Sequence, residues 1–412
     1  MRCGVDFGTS NSAVALSTGE VLKVEASSRL SRSVLFFPED TGEVLAGGPA
    51  IERYLEDNAG RFIQSMKTWL PSSTFTRTQI RNRTLLLEDL IAVFLKSLRT
   101  RAMDSLGKDL DEVVMGRPAR FSIDPKADAF AEERLKKAAE LAGFTQVSFL
   151  IEPIAAALAY EATLNRDELV LVADFGAGTS DLTLMWLGPT RRVKAERRGD
   201  VVASSGVYVG GDRFDAAIMK HKLLPYFGQG STYEVGFKRM PIPTYVLSRL
   251  LSWNEMSLIR EKSTRELIDQ MLKTSDSKDA IAALHDLVMY NLGYRLYRAI
   301  ELAKVELSTK QKATVVFSDE RVHIEEQVTR AEFDRFCAPL IDELEVCTDE
   351  LLARAPQELR IDSVFLTGGS SQIPAVRALF ARKFGEDRLR TADAFTSVVE
   401  GLGRASDLAF KL

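Results

Sequence analysis

The chain has 412 residues, 45% hydrophobic and 27% charged, which describes a globular protein too long for one ordinary domain and leads to an expectation of two lobes. A net charge of −4 argues against nucleic acid as a partner, and apolar runs such as 90–95 and 154–160 fall short of the ~18 residues a membrane span needs, so no membrane is expected either. Three scattered histidines (His221, His285, His323) and three cysteines (Cys3, Cys337, Cys347) offer no metal-ligand spacing; with a carboxylate at Asp6 where an export signal needs an apolar core, they suit a reducing, cytoplasmic setting.

In chain order, residues 2–16 give two β-rich runs around Gly8-Thr9-Ser10-Asn11, which reads as strand, polar turn, strand. An amphipathic helix is expected over 84–98, then a short strand over 113–115 ended by Gly116-Arg117-Pro118. A helix over 124–143 follows, with Asp124 as N-cap, Pro125 in the first position and Gly143 as the stop. A strand over 147–150 precedes the Ala-rich helix 154–160, which Glu152-Pro153 opens. At 169–184 the opening design returns: Asp174-Phe175-Gly176 repeats Asp6-Phe7-Gly8, again followed by small and hydroxyl-bearing residues. Two copies about 170 residues apart imply two homologous lobes. Beyond them come an irregular, Gly-, Pro- and aromatic-rich stretch over 224–243, helices over 246–272 and 277–307, a strand over 361–367, a Gly368-Gly369-Ser370-Ser371 loop and a helix over 374–384. Strands alternating with helices argue α/β.

Each Gly- and hydroxyl-rich turn presents backbone N–H groups with little side chain in the way, a natural anion cradle. An aspartate at the end of the preceding strand faces a bound phosphate sensibly only across a cation, and Mg²⁺ fits because it combines one or two carboxylates with waters and phosphate oxygens. Each turn taken singly is equally a tight hairpin with a turn-stabilising aspartate; the repetition favours the cradle. The chain lacks a Gly-Lys-Ser/Thr P-loop, and it has no His-Arg-Asp loop upstream of a single Asp-Phe-Gly, which excludes P-loop and protein-kinase chemistry.

Five ordered motifs resemble the actin-like ATPase superfamily, specifically the nucleotide-binding domain of heat-shock-70 chaperones. They are residues 4–12, the lysine-bearing stretch 64–67, Ile151-Glu152-Pro153 with its following alanines, residues 174–181, and residues 366–374. Gly210-Gly211-Asp212-Arg213-Phe214-Asp215 resembles the family's Gly-Gly-x-x-Phe-Asp element. Gly116-Arg117-Pro118 and the helix 155–163 resemble the short YegD-like branch. The resemblance implies an actin-like fold with a mixed, helix-flanked sheet in each lobe and a nucleotide cleft between them. Lobe I would span 1–168 and lobe II 169–389, with a helical, aromatic-rich insert-like region over 224–307, and a C-terminal helix within 390–412 would return to lobe I. It implies ATP or ADP as ligand, with Mg²⁺ held through water by Asp6 and Asp174. Gly8, Thr9, Ser10 and Asn11 would clamp phosphates from one side, and Gly176, Gly178 and Thr179 from the other. Lys67 would reach the γ-phosphate. Glu152 and Asp181 would orient the attacking water or the outer magnesium waters, with Asp174 and Thr179 completing the catalytic set; Glu152 reads equally as a carboxylate complementing a helix start. The resemblance assigns ribose contacts to Glu301, Lys304 and Ser308, and further nucleotide contacts to Gly210, Gly211, Gly368, Gly369, Ser370 and Asp393.

The match departs in three places. Val305 and Gln372 stand where the resemblance implies arginines flanking the base; two lost guanidinium stacks weaken binding about tenfold or more, so micromolar ATP affinity and reduced discrimination between purines are expected. Ala177 replaces a glycine, which costs about 1 kcal/mol if φ there is positive and nothing otherwise. About 19 residues follow Asp393, enough for a closing helix; no peptide-binding domain is expected, and Pro118, at the position that the resemblance implies for an interlobe switch, is expected to have none to drive. The leading reading is a monomeric, slow Mg²⁺-dependent ATPase switching its lobes and acting through an unknown protein partner or client. An actin-like filament protein, a small-molecule kinase such as a sugar kinase, and a nucleotide-binding scaffold without turnover are the alternatives. Tyr226, Phe227, Tyr233, Phe237, Tyr245 and Trp253 form either a partner surface or a buried aromatic cluster.

Overall fold

Each Asp-Phe-Gly turn closes the central hairpin of a five-stranded sheet. The computed structural model describes every residue except 194–196, 253–254, 357, 392, 394 and 408–412. The first sheet runs in the order Gln146–Ile151, Glu112–Arg117, Arg2–Phe7, Asn11–Leu16, Ser31–Arg32, and the second in the order Leu389–Thr391, Ser363–Thr367, Glu168–Phe175, Ser180–Leu187, Val201–Val207. In both, a central antiparallel hairpin carries a third antiparallel strand on one side and two parallel strands on the other. The sequence repeat is therefore a repeat of topology. The hairpins match in detail: four residues separate the closing pair Phe7 and Ser12, and four separate Phe175 and Ser180. Asp6 pairs across its hairpin with Ala13, whereas Asp174 pairs with Asp181, so Asp181 has no acidic counterpart in the first copy.

Parallel strands need long crossovers, and helices supply them. Leu87–Leu106 and Pro125–Leu141 pack on each other and share a core with the first sheet through Phe7, Phe94, Leu95, Met115 and Leu135. Asp124 caps the second of these, accepting from the Lys126 amide at 3.0 Å, and Gly143 follows its end with φ 100°. Helices Glu152–Glu161 and Ser397–Ala405 pack together in a core that reaches both sheets, through Leu150 on one side and Val170, Val172 and Phe365 on the other. Their crossing is closed by a missing side chain: a Cβ on Gly401 would stand 1.7 Å from the Ala155 carbonyl oxygen. Backbone cannot yield as a side-chain tip does. Gly401→Ala is expected to cost about 1–3 kcal/mol and lower the melting temperature in thermal denaturation; an unchanged melting temperature would mean that the crossing can open freely.

By the density of its internal packing the chain divides into two compact units, Met1–Gly210 with Glu343–Gln372 and Val376–Leu412, and Gly211–Asp342 with Ile373–Ala375. Both five-stranded sheets lie in the first. The second holds a long hairpin, Lys312–Ser318 with His323–Thr329, and mostly helices.

Several elements differ from expectation. The helix expected over 84–98 begins at Leu87, because Arg83–Leu86 pairs as a strand with Arg77–Ile80. The helix expected over 246–272 is broken into Thr244–Arg249, Met256–Ile259 and Lys262–Thr274; after the first piece the Leu250 carbonyl is taken by the Tyr297 hydroxyl at 2.7 Å, a tertiary bond that local periodicity does not encode. The helix expected over 277–307 breaks at Asn291, whose φ of 54° is left-handed, giving Lys278–Met289 and Gly293–Leu307. Within the stretch read as irregular, Thr232–Val235 and Lys238–Pro241 form a hairpin around Gly236 (φ 62°) and a fully exposed Phe237. The aromatics divide: Phe227 and Tyr233 are buried, Tyr226, Phe237 and Tyr245 are exposed, and Trp253 lies outside the described residues. Among the described residues no helix is long and apolar enough to cross a membrane.

Candidate functional site

The two turns meet within the first unit. The Ser33 hydroxyl braces the first, donating to the Gly8 carbonyl at 2.7 Å, while the Ser33 amide donates to the Ser10 carbonyl at 3.0 Å. The second is closed by the Gly176 amide donating to the Thr179 carbonyl at 2.9 Å. A Cβ on Gly178 would lie 3.9 Å from the Thr9 Oγ1, so the tips face each other across a short gap. The loop ending at Gly210 presses its backbone on Ala177 and Gly178, and the Ser180 hydroxyl donates to the Val209 carbonyl at 2.5 Å. Ala177 settles its open question: among the described non-glycine residues only Ser65, Arg81 and Asn291 have positive φ, so alanine carries no backbone cost there.

Asp6 and Asp174 each occupy the penultimate position of their strand. Lys67 comes from the 3₁₀ turn Met66–Trp69, entered through Ser65 at φ 52°, a left-handed conformation that is unusual for serine. Its Nζ donates to Glu152 Oε1 at 2.5 Å, and both side chains are largely buried. Glu152 opens its helix with Pro153 behind it, so it stands at the helix start and pairs with Lys67 at once. It fits because Gly116 beside it has no side chain: a Cβ there would meet Glu152 Cγ at 3.1 Å. Asp181 accepts from the Thr179 hydroxyl and from the Ala119 amide, each at 2.9 Å.

Electrostatics binds these groups into one cluster. Burial pushes the Asp6 carboxyl up to about 7, Glu152 adds to it, and Lys67 opposes. Burial and then Glu152 likewise push Asp181 up to about 7, against its bonds from Thr179 and Ala119. Asp174 lies well above the usual carboxylate range, through burial first and then Glu152, Asp181 and Asp6. Burial disfavours the Lys67 ammonium, but Glu152 and Asp6 outweigh it and its pKa is raised. Four carboxyls thus face one ammonium, an acidic surplus that suits a divalent cation. Among the described residues no three His, Cys, Asp or Glu side chains converge as a direct cage; Asp6 and Asp174, at matching strand ends, are the carboxylates that could hold a hydrated Mg²⁺ shared with phosphate oxygens.

Sequence reasoning missed two supporting residues. Arg134, 2% exposed, holds the loop that presents Lys67: it donates to the carbonyls of Trp69, Leu70, Ser72 and Phe75 at 3.1–3.3 Å and to Glu88 at 3.0 Å. The Tyr208 hydroxyl donates to the Phe121 carbonyl at 3.1 Å, tying the loop before Gly210 to the segment whose Ala119 amide reaches Asp181. Arg134 is one of several charged residues on an amphipathic helix, and no local pattern marks it; Tyr208, two residues before Gly210, carries only its proximity to that glycine pair.

The remaining expected residues lie at two places. Gly368 (φ 80°), Gly369 and Ser370 follow the strand Ser363–Thr367, whose Thr367 is level with Asp174, and the Asp393 side chain accepts from the Phe395 amide at 3.0 Å. In the second unit, Lys304 pairs with Asp215 at 2.9 Å and donates to the Gly211 carbonyl at 3.1 Å; Glu301 pairs with Arg298 at 2.8 Å, and the Ser308 hydroxyl reaches the Lys304 carbonyl at 3.5 Å.

A family model described as "Hsp70 protein" matches residues 66–239 and 261–403. The chain belongs to the Hsp70 family. Its α/β architecture, with two mixed sheets flanked by helices, is the Hsp70 form of the actin-like ATPase fold. Relatives named "Chaperone protein DnaK" are 28% identical: that of Halobacterium salinarum over 408 residues, covering 97% of this chain and 54% of the relative; that of Thermosipho africanus over 413 residues, covering 97% and 57%; and that of Thermotoga maritima over 414 residues, covering 97% and 58%. This Hsp70-family chain spans about half the length of the curated relatives it matches.

Proposed function

We propose that this Hsp70-family chain binds Mg²⁺-ATP and hydrolyses it slowly, with the change between ATP and ADP read out by a protein partner or client. The observation that carries the reading is the convergence of two topologically repeated, aspartate-bearing turns on the Lys67–Glu152 pair. Backbone amides of Gly8–Asn11 and of residues 177–179 cradle phosphate oxygens, while the Gly176 amide holds the second turn closed. Lys67 stands as a positive charge where negative charge builds up during transfer. Glu152 and Asp181, each already oriented by a partner, accept hydrogen bonds from the attacking water. Asp6 and Asp174 would hold a hydrated Mg²⁺ through its waters, and the ion would supply neutralisation of the phosphate charge. Glu301, Lys304 and Ser308 are proposed ribose contacts, and Gly210, Gly211, Gly368, Gly369, Ser370 and Asp393 further nucleotide contacts. The lobe boundaries at 168/169 and 389/390, the YegD-like branch, a cytoplasmic location and a monomeric state belong to the same reading. No observation favours a filament, a sugar kinase or an inert scaffold.

Thermal shift tests it. A ligand at 100 times its dissociation constant stabilises by about 2.7 kcal/mol, so millimolar ATP with Mg²⁺ is expected to raise the melting temperature, with a smaller rise when EDTA replaces Mg²⁺. No shift with ATP, ADP or GTP in the presence of Mg²⁺ would overturn the assignment.

A further inference from the structure

One exposed aromatic ring stands beside the nucleotide residues without a role in the core. Phe395 is 49% exposed, and it rests on Gly369: a Cβ added there would meet the ring's Cε1 at 3.0 Å and Cζ at 3.3 Å. Backbone without a side chain thus supports the ring while half its surface stays open. The ring is also held in place. The Phe395 amide donates to Asp393 Oδ1 at 3.0 Å, and the Ser397 hydroxyl donates to the Asp393 carbonyl at 3.1 Å. Ser397 in turn accepts from the Thr367 hydroxyl, and Thr367 is the residue level with Asp174 in the adjoining strand. A short chain of hydrogen bonds therefore ties the backbone that carries the ring to the strand end beside the phosphate-side carboxylate.

A half-exposed phenyl ring seated on a glycine backbone offers a planar ligand an open apolar face. We propose that Phe395 is the platform on which the nucleotide base stacks. This deepens the ATP reading and rests on it. Every base has a π-face, so stacking on a phenyl ring contributes to affinity with little choice between bases. The nearby Gln372 is exposed and carries no cationic plane to compete for that role. The ligand class is accordingly a nucleoside triphosphate recognised by its phosphates and by an unselective stack, with adenine and guanine accepted alike.

The test uses calorimetry on the full chain with Mg²⁺ and three probes: ATP, GTP and tripolyphosphate, which has no base. Phe395→Ala is expected to weaken ATP and GTP by about 10-fold each and to leave tripolyphosphate unchanged, while Phe395→Trp retains both nucleotides. ATP and GTP affinities unchanged in Phe395→Ala would overturn the stacking role alone. A parallel loss of tripolyphosphate would also overturn it, showing that the ring supports the loop instead. A wild-type chain that binds none of the three overturns the ATP reading and this inference with it.

Discussion

Lys67→Met is expected to cut Mg²⁺-ATP hydrolysis by about 100-fold or more while the protein still folds and binds nucleotide. Removing one group aimed at developing transition-state charge typically costs 10²–10³ in turnover, and Lys67 is the cation paired inside this acidic cluster. Methionine keeps the length and fills the same buried space. The substitution also leaves Glu152 without its partner, and breaking a buried pair costs about 3–5 kcal/mol when the survivor stays charged. Glu152 retains some solvent contact, which lessens that penalty. Lys67→Met with Glu152→Gln separates the two effects: the pair should regain most of the lost stability and none of the activity. Steady-state phosphate release that is unchanged in folded Lys67→Met would remove Lys67 from the chemistry.

Asp174→Asn is expected to make the ligand-free protein more stable and at the same time to abolish Mg²⁺-dependent turnover. In the unfolded chain the three aspartates lose their protons near the ordinary value of 3.8, whereas in the fold Asp6 and Asp181 hold theirs up to about 7 and Asp174 lies well above the usual range. Across that window the native state binds more protons than the unfolded state, so stability falls as pH rises. The contribution is complete below about pH 4 and is lost as the folded pKa values are passed. Ligand-free wild type should therefore melt at a lower temperature at pH 8 than at pH 5.5. Asparagine removes one buried charge from the surplus and should flatten that dependence. The variant is therefore expected to melt above wild type at pH 8, where the buried charge surplus is greatest. A variant that melts lower than wild type at pH 8 would show that the carboxylate is stabilising and that the cluster is not strained by its own charge. Stability stored against function in this way is common at binding sites.

The central hairpins were legible because everything that makes them is local. Asp6-Phe7-Gly8 and Asp174-Phe175-Gly176 sit inside short β-rich runs, and a turn of small residues between such runs has few other solutions. The helix 125–141 was legible for the same reason, since its cap, its proline and its stopping glycine are contiguous with it. The long helices of the second unit were misread where a distant group intervened: Tyr297 ends one by taking a carbonyl forty-seven residues away, and Asn291 adopts a left-handed turn that the apolar periodicity runs straight across.

The sequence by itself determined the repeated strand–turn–strand, the aspartate in each copy, the α/β class and the family. These depend on residue order within a few positions. The tertiary structure alone decided that Lys67 meets Glu152, eighty-five residues on, that the sequence-silent Arg134 holds the Lys67 loop, and that Phe395 lies on Gly369. A charge or an aromatic ring has no intrinsic partner. Burial strengthens whichever contact packing brings close, and that choice is made only when the chain has folded.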